Sequence, residues 1–493
     1  MLRSYDPRTG ESVGPGVPES SGAEVDAAVA AATAAAPTWA ALPAARRADA
    51  ITAVADALDS NADELIALAD VETALGEPRL RSEIARTSGQ LRMFADATRD
   101  GGYVDAIISP ADPASGRPDV RRLLQPIGPV AVFAASNFPF AFSVVGGDTA
   151  SALAAGCPVV VKAHEGHPQT SRRTAELATA ALAGAGAPGG TFGIVYGVPA
   201  GARLIGHPGV RAAGFTGSTA GGRALYDLAA ARPDPIPFFG ELGSVNPVVV
   251  LPGAAAEDPS ALAAGYVGSL TLGVGQYCTN PGLVFVPSGS PVLDEIAAAV
   301  GSSRGGAMLT ERIHAGYVAA TTADEWIGQE VVGRGVADGA WGAVPEVRTV
   351  SLAEFAADLD RLSVERFGPV GLVVTYGEPD ELPAVLRRLP GSLTGSVHAS
   401  GAEGATARAV AAELAPRVGR LVMNGWPTGV AVVWAMQHGG PWPASTDAAH
   451  TSVGVTALRR WLVPIAYQGW DDALLPPALQ EANPLGIART VQP

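Results

Sequence analysis

Apolar residues return every three or four positions through AEVDAAVAAATAAAPTWAAL and again through ADAITAVADALDSNADELIALAD. Residues 22–100 therefore predict a run of amphipathic helices, with Ser and Asn standing ahead of helix starts. They read as surface-packing helices that carry no chemistry. The polar, Pro- and Gly-containing stretch 103–122 then breaks the rhythm. Beyond it, short β-rich runs alternate with helical stretches: PVAVFAAS (129–136), PVVVK (158–162), TFGIVYG (191–197), RAAGFTGS (211–218) and NPVVVLP (246–252). Strand, helix, strand at such intervals predicts a parallel, doubly wound α/β sheet, in which ligands bind beyond the carboxyl ends of the strands. Asn137, Lys162 and Ser218 each fall just after one of these runs. A second α/β rhythm follows in GLVFVP (282–287), VGLVVTYG (370–377), GSVHAS (395–400) and RLVMNG (420–425), and predicts a second domain of similar design. After Ser445 one apolar run remains, RRWLVPIAYQ, which reads as a strand in need of a partner.

Composition narrows the class. A chain of 493 residues, 47% hydrophobic and 16% charged, can bury a large core in two or three domains. Its net charge of -15 leaves an acidic surface that repels phosphate backbones and anionic lipid, so neither nucleic acid nor membrane is an expected partner. No apolar stretch reaches the roughly twenty residues a membrane span needs, and MLRSYDPRTGE lacks the apolar run of a secretory signal, so a cytoplasmic location is expected. The apolar periodicity persists through the segments rich in Gly and Ala, which argues against low complexity. The two cysteines, Cys157 and Cys278, belong to no cluster with metal spacing. Reduced thiols and no metal site are expected.

Cys278 lies in GVGQYCTNPG, a Gly- and Asn-rich loop just before a strand, where a thiol can act as nucleophile if a base is near; the alternative is a small hydrophobe at a core edge. Cys157, in AAGCPVVVK, reads as core. Glu241 sits between glycines in FFGELGSVNP; an apolar setting raises a carboxyl's affinity for a proton and suits it to general-base work, whereas a solvated turn glutamate does nothing of the kind. Asn137, in AASNFPFAF, offers an amide for an oxyanion but is also a good turn residue. Lys162 ends one strand, and FTGSTAGG, with Gly217 and Ser218, opens a helix whose free N–H groups suit a pyrophosphate. No GxGxxG with a following acidic residue is present.

Taken singly these features are weak, but SNFPF, VVVKAHE, FTGSTAGG, ELGSVNP, GQYCTNPG and ERFGPV occur in the order and approximate separation seen in the aldehyde dehydrogenase superfamily. The resemblance covers nearly the whole chain. It implies a Rossmann-like cofactor domain (1–102 and 124–243), a catalytic domain (244–445), and a small β oligomerisation element with the tail (103–123 and 446–493). It further implies NAD(P)-dependent oxidation of an aldehyde to its acid, with Cys278 as nucleophile, Asn137 and the Cys278 N–H at the oxyanion, and Glu241 activating the water that hydrolyses the thioester. By the same resemblance Lys162 and Glu365 hold ribose hydroxyls, Ser218 meets the pyrophosphate and Phe367 packs beside the nicotinamide. Unaided, Glu365 also reads as a surface ion-pair partner of Arg361 or Arg366.

Within the superfamily, GQYCTNPG and NGWPTGVAVVWAMQHGGPWPAST resemble the branch of 2-oxoglutarate semialdehyde (2,5-dioxopentanoate) dehydrogenases, which also holds enzymes of aliphatic aldehydes. Trp426, Trp434 and Trp442 are candidates to line the aldehyde pocket. Ser244 replaces the second glycine of the usual ELGG, which adds a side chain near the base and is expected to bear on how Glu241 swings while catalysis survives. Glu165, three residues after Lys162, is a carboxylate that would repel a 2′-phosphate and so points to NAD, while His164 and Arg203 keep NADP open as phosphate acceptors. The rival readings are a medium-chain aliphatic aldehyde dehydrogenase, a coenzyme A-acylating enzyme that would not need Glu241, and a silent protein of the same fold. A homo-oligomer is implied, in which hairpin 103–123 and the strand near 462–468 join a neighbour's sheet.

Overall fold

The helical run becomes four helices in the computed structural model, which describes residues 1–492, Ile327 for its backbone only. They are α1 (Gly22–Ala41), α2 (Ala44–Ser60), α3 (Ala62–Thr73) and α4 (Glu77–Asp100). Ser21 opens α1 with a reciprocal cap: its hydroxyl accepts from the Glu24 N–H, and the Glu24 carboxylate accepts from the Ser21 N–H at 2.7 Å. Gly101, left-handed at φ 72°, closes α4. Ahead of them a hairpin of β1 (Leu2–Asp6) and β2 (Glu11–Val17) forms, which the periodicity does not announce.

After β3 (Ala106–Ser109) and β4 (Val120–Pro126), five parallel strands make the first sheet: β5 (Val130–Phe133), β6 (Val159–Lys162), β7 (Phe192–Val195), β8 (Ala212–Thr216) and β9 (Phe238–Glu241), in the order β7-β6-β5-β8-β9. The crossovers are α5 (Gly147–Ala155), α6 (Pro168–Gly184), α7 (Val198–Gly206) and α8 (Thr219–Ala230). Because successive side chains face opposite ways, Val130, Val132, Val159 and Val161 pack with Ile51, Leu91 and Phe94, while Ala131, Phe133 and Val160 pack with Val25, Val29 and Leu204. Burial on both faces is why these strands read as unbroken apolar runs.

The second sheet has seven strands: β10 (Val248–Val250), β11 (Leu283–Pro287), β12 (Glu330–Arg334), β13 (Glu346–Ser351), β14 (Val370–Tyr376), β15 (Ser392–His398) and β16 (Val418–Met423), ordered β12-β13-β14-β11-β10-β15-β16. Only the β12–β13 pair is antiparallel. The sequence pattern does not reveal β12, β13 or β9. A third sheet, β17-β4-β3-β18, joins β17 (Leu462–Gln468) and β18 (Arg489–Val491) to the early hairpin, with Leu462 opposite Pro126 and Gln468 opposite Val120. The unpartnered apolar run thus finds its first partner within the chain. Among the described residues no helix is long and apolar enough to cross a membrane. The turn from β9 into β10 carries the chain from the first large sheet to the second, and the candidate site lies there.

Candidate active site

Cys278 ends a backbone that L residues seldom adopt: Gly273, Val274 and Gly275 are left-handed in succession, at φ 56°, 60° and 67°. Gly275 has no room for a side chain, since a Cβ there would lie 2.2 Å from the carbonyl carbon of Gly368, in the loop that carries Glu365 and Phe367. The loop is then held from both sides. Asn246 donates from Nδ2 to the carbonyls of Cys278 (2.8 Å) and Asn280 (2.9 Å), and Asn137 donates from Nδ2 to the Gln276 carbonyl at 2.9 Å. The buried Asn137 amide therefore stands beside the thiol's own loop, with its second N–H available.

Glu241 is not a solvated turn residue: it ends β9, is 4% exposed, and bridges to Ser445 in an antiparallel pair. That bridge draws in a segment in which the sequence points to Trp426, Trp434 and Trp442 but not to His438. His438 Nε2 lies 3.0 Å from Glu241 Oε1 and 3.6 Å from Cys278 Sγ, and the Ser452 hydroxyl donates to Glu241 Oε2 at 2.7 Å. His438 Nδ1 is buried without a partner, so the neutral ring that donates from Nε2 to Glu241 leaves no buried N–H unpaired. Thiol, imidazole and carboxylate all lie within 4.8 Å of one another, which is also the donor set of a soft metal; here the hydrogen bond between ring and carboxylate ties two of the three together.

Electrostatics corrects one expectation. Burial does push Glu241 up, but the His438 ring, the Ser452 hydroxyl and the Cys278 thiol stabilise the carboxylate more, and its pKa falls below the ordinary value. The same carboxylate works against the thiolate: burial first, and Glu241 second, push Cys278 well above a free thiol. The resting pair is a neutral thiol beside an ionised carboxylate. The Ser244 hydroxyl is held away from Glu241: it donates to Asn246 Oδ1 (2.7 Å) and accepts from the Leu393 N–H (2.9 Å).

A cavity of about 310 Å³ opens in front of Cys278, walled by Phe138, Phe142, Tyr277 and the α4 residues Arg79, Glu83 and Arg86. The helices of 22–100, read as surface-packing, therefore reach the cavity as well; residues 79, 83 and 86 recur at i, i+4, i+7 and share one helix face. None of the three tryptophans lines this cavity. Trp426 packs on Tyr266 and His398, at ring centroids 5.5 and 4.7 Å, and Trp434 and Trp442 are exposed.

On the other side of the β9–β10 turn the remaining residues gather at strand ends. Lys162 is buried and ion-pairs with Glu165. Gly217 and Ser218 sit at the exposed start of α8, where Ser218 Oγ accepts from the Gly221 N–H at 3.2 Å. Glu365 makes no ion pair with its neighbours: Arg361 pairs with Asp358, and Arg366 lies 4.6 Å from the Trp326 ring centre. Burial raises the Glu365 carboxyl to about 7 against the pull of the Ser244 N–H. A carboxyl so placed can accept from the hydroxyls of a ribose, and Phe367 lines the same recess, so the residues fit a dinucleotide. Neither proposed phosphate acceptor is free for the task. Burial holds His164 far below its ordinary pKa and so uncharged, and Arg203 is engaged by Asp26.

Two wound α/β sheets thus bring a thiol, an amide and a carboxylate together where one chain turn links them. The chain belongs to the aldehyde dehydrogenase family, whose profile matches residues 1–452. It is 46% identical to alpha-ketoglutaric semialdehyde dehydrogenase 2 of Azospirillum brasilense, over 99% of this chain and 95% of that protein. It is 40% identical to alpha-ketoglutaric semialdehyde dehydrogenase of Acinetobacter baylyi, over 90% and 86%. Among solved structures it superposes on an aldehyde dehydrogenase of Pseudomonas syringae bound to NAD+ and octanal, with TM-score 0.81 and 25% identity, covering 96% of this chain and 94% of that one. Enzymes of this family oxidise aldehydes with NAD(P).

Proposed function

We propose that the protein oxidises 2,5-dioxopentanoate (alpha-ketoglutaric semialdehyde) to 2-oxoglutarate, with NAD as the preferred acceptor. The observation that carries the chemistry is the gathering of Asn137, Glu241 and His438 about Cys278 and its loop, with Cys278 and His438 lining one cavity. The substrate rests on the two relatives of that name, each aligned over most of its length. Cys278 Sγ attacks the aldehyde carbon while its proton passes to the Glu241 carboxylate. Asn137 Nδ2 and the Cys278 N–H hold the oxyanion. A dinucleotide held beside Phe367 would supply the acceptor for the hydride that leaves the carbon bound at Cys278. Once it has released the thiol's proton to solvent, Glu241, oriented by His438 and Ser452, takes a proton from the water that cleaves the Cys278 thioester. Retention of this base argues against a coenzyme A-acylating enzyme.

Lys162, Glu165 and Glu365 are assigned to ribose hydroxyls, Gly217 and Ser218 to the pyrophosphate, and Phe367 to the nicotinamide. Glu165 would repel a 2′-phosphate, and with His164 uncharged and Arg203 engaged by Asp26 neither of the two acceptors named for a phosphate answers one, which supports NAD over NADP. Residues 103–123 and 446–493 are assigned to oligomer formation.

Reduction of NAD and NADP with 2,5-dioxopentanoate, glutaraldehyde and hexanal tests the reading. Preference for the oxo acid with NAD is expected. Activity confined to hexanal moves the enzyme to aliphatic aldehydes, and preference for NADP overturns the cofactor assignment.

A further inference from the structure

Buried arginines normally spend their donors, because an unpaired N–H out of reach of water is costly. Two arginines on the cavity wall do not. Arg79 gives Nη2 to the Asn137 carbonyl at 2.6 Å, but its Nε and Nη1 are buried without partners while the guanidinium lies 4.9 and 4.6 Å from the Phe138 and Tyr277 ring centres. Arg86 gives Nη1 to the Val430 carbonyl at 2.5 Å, leaves Nε buried and unpaired, and lies 5.8 Å from the Phe142 ring centre. Glu83 stands between them; its Oε1 accepts from the N–H groups of Phe140 (2.8 Å) and Ala141 (3.0 Å), and its Oε2 is buried without a hydrogen bond, so it takes up none of the unspent guanidinium donors. Two cations and one carboxylate leave this wall one positive charge in excess, in the cavity that holds the reactive thiol.

We propose that Arg86 and Arg79 form a carboxylate clamp that selects short ω-oxo acids over neutral aldehydes of the same length. The guanidinium fork is matched to a carboxylate, and its flat face is fixed by the aromatic rings, so little freedom is lost on binding. A five-carbon oxo acid with its aldehyde at Cys278 brings the opposite charge to a wall with donors unspent. A neutral chain leaves them unpaired, and sites built around a hydrogen-bonding partner discriminate strongly against analogues that lack it. The clamp rests on the substrate reading above and names the residues that would enforce it.

The test compares kcat/KM for 2,5-dioxopentanoate and pentanal in the wild type, Arg86→Met, Arg86→Lys and Arg79→Met. In the wild type the oxo acid should be preferred by about 100-fold or more. That ratio should fall by at least about tenfold in each Met variant, with Arg86→Lys, which keeps charge but loses the fork, in between. A second measurement needs no variant: 2-oxopentanoate, the oxo acid without its aldehyde, should compete with pentanal in the wild type where 2-pentanone does not. A wild type without preference for the oxo acid overturns the substrate reading and the clamp together. A wild-type preference that survives in both Met variants, or an inert 2-oxopentanoate, overturns the clamp alone.

Discussion

Cys157 and Cys278 carry the same thiol, and burial raises the pKa of both, yet only one stands where chemistry is possible. Cys157 opens the strand β6 inside the packed core, is wholly buried, and its sulfur faces the Trp461 carbonyl at 3.4 Å. Cys278 is half-buried at the floor of a cavity, with an imidazole at 3.6 Å and a carboxylate close by. A lowered resting pKa is therefore not what separates the two. The difference lies in a proton acceptor within reach and space for a substrate carbon.

The largest effect is expected where that contrast is erased. Cys278→Ala should lower aldehyde oxidation by about 10⁴-fold or more, since no other group on the cavity wall can form the thioester. Stopped-flow recording of NADH formation checks it, and retention of a tenth of the activity would remove Cys278 from the mechanism. Glu241→Gln comes next. Steady-state turnover should fall by about 10²- to 10³-fold, because the general base is gone. Any initial burst of NADH that persists would place the defect in thioester hydrolysis, and equal loss of burst and turnover would place it in the attack of Cys278.

His438→Gln sharpens the comparison by a smaller amount, roughly tenfold in kcat near neutral pH. Its signature is a displaced pH profile. In the wild type the His438 ring helps hold Glu241 below the ordinary carboxyl value, so the base stays ionised down to acid pH. Without the ring, burial dominates, the pKa rises, and the acid limb of kcat moves to higher pH. Lower activity with an unmoved limb would mean that His438 only props the loop.

How much of this was readable in the sequence follows from the same physics. VVVK and AVF announce themselves because both faces of those strands are buried, leaving no polar alternation to confuse the pattern. The strand that delivers Glu241 is four residues long with Gly240 inside it, too short for a period to emerge. His438 comes from the irregular stretch between β16 and β17, which has no periodicity; only its packing against β9 reveals it. Arg79, Glu83 and Arg86 were hidden for the opposite reason. They repeat with perfect helical spacing, but charged residues in that rhythm read as a solvated face until the cavity beside them is known. Catalytic loops with several fixed turns, such as GQYC and FGP, were legible because their backbone needs particular residues: Gly275 must be glycine where it meets Gly368.

The smallest effect concerns the silent member of the pair. Cys157→Ala removes one buried sulfur and should cost about 1 kcal/mol of stability with kcat unchanged. Its alkaline behaviour is more telling. The folded thiol titrates at about 11 against 9.0 in an ordinary setting, so its raised pKa is a preference for the neutral form. Stability from that preference is fully present below pH 9 and is lost as pH rises towards 11, because the unfolded chain releases a proton that the folded chain retains. Two units correspond to ~2–3 kcal/mol at the upper end. Urea unfolding of the wild type and Cys157→Ala between pH 8 and 11 should show the wild type losing its advantage, the two curves converging or crossing. Parallel curves would mean that Cys157 ionises as freely in the fold as outside it, and the contrast between a sealed thiol and a reachable one would have to rest on Cys278 alone.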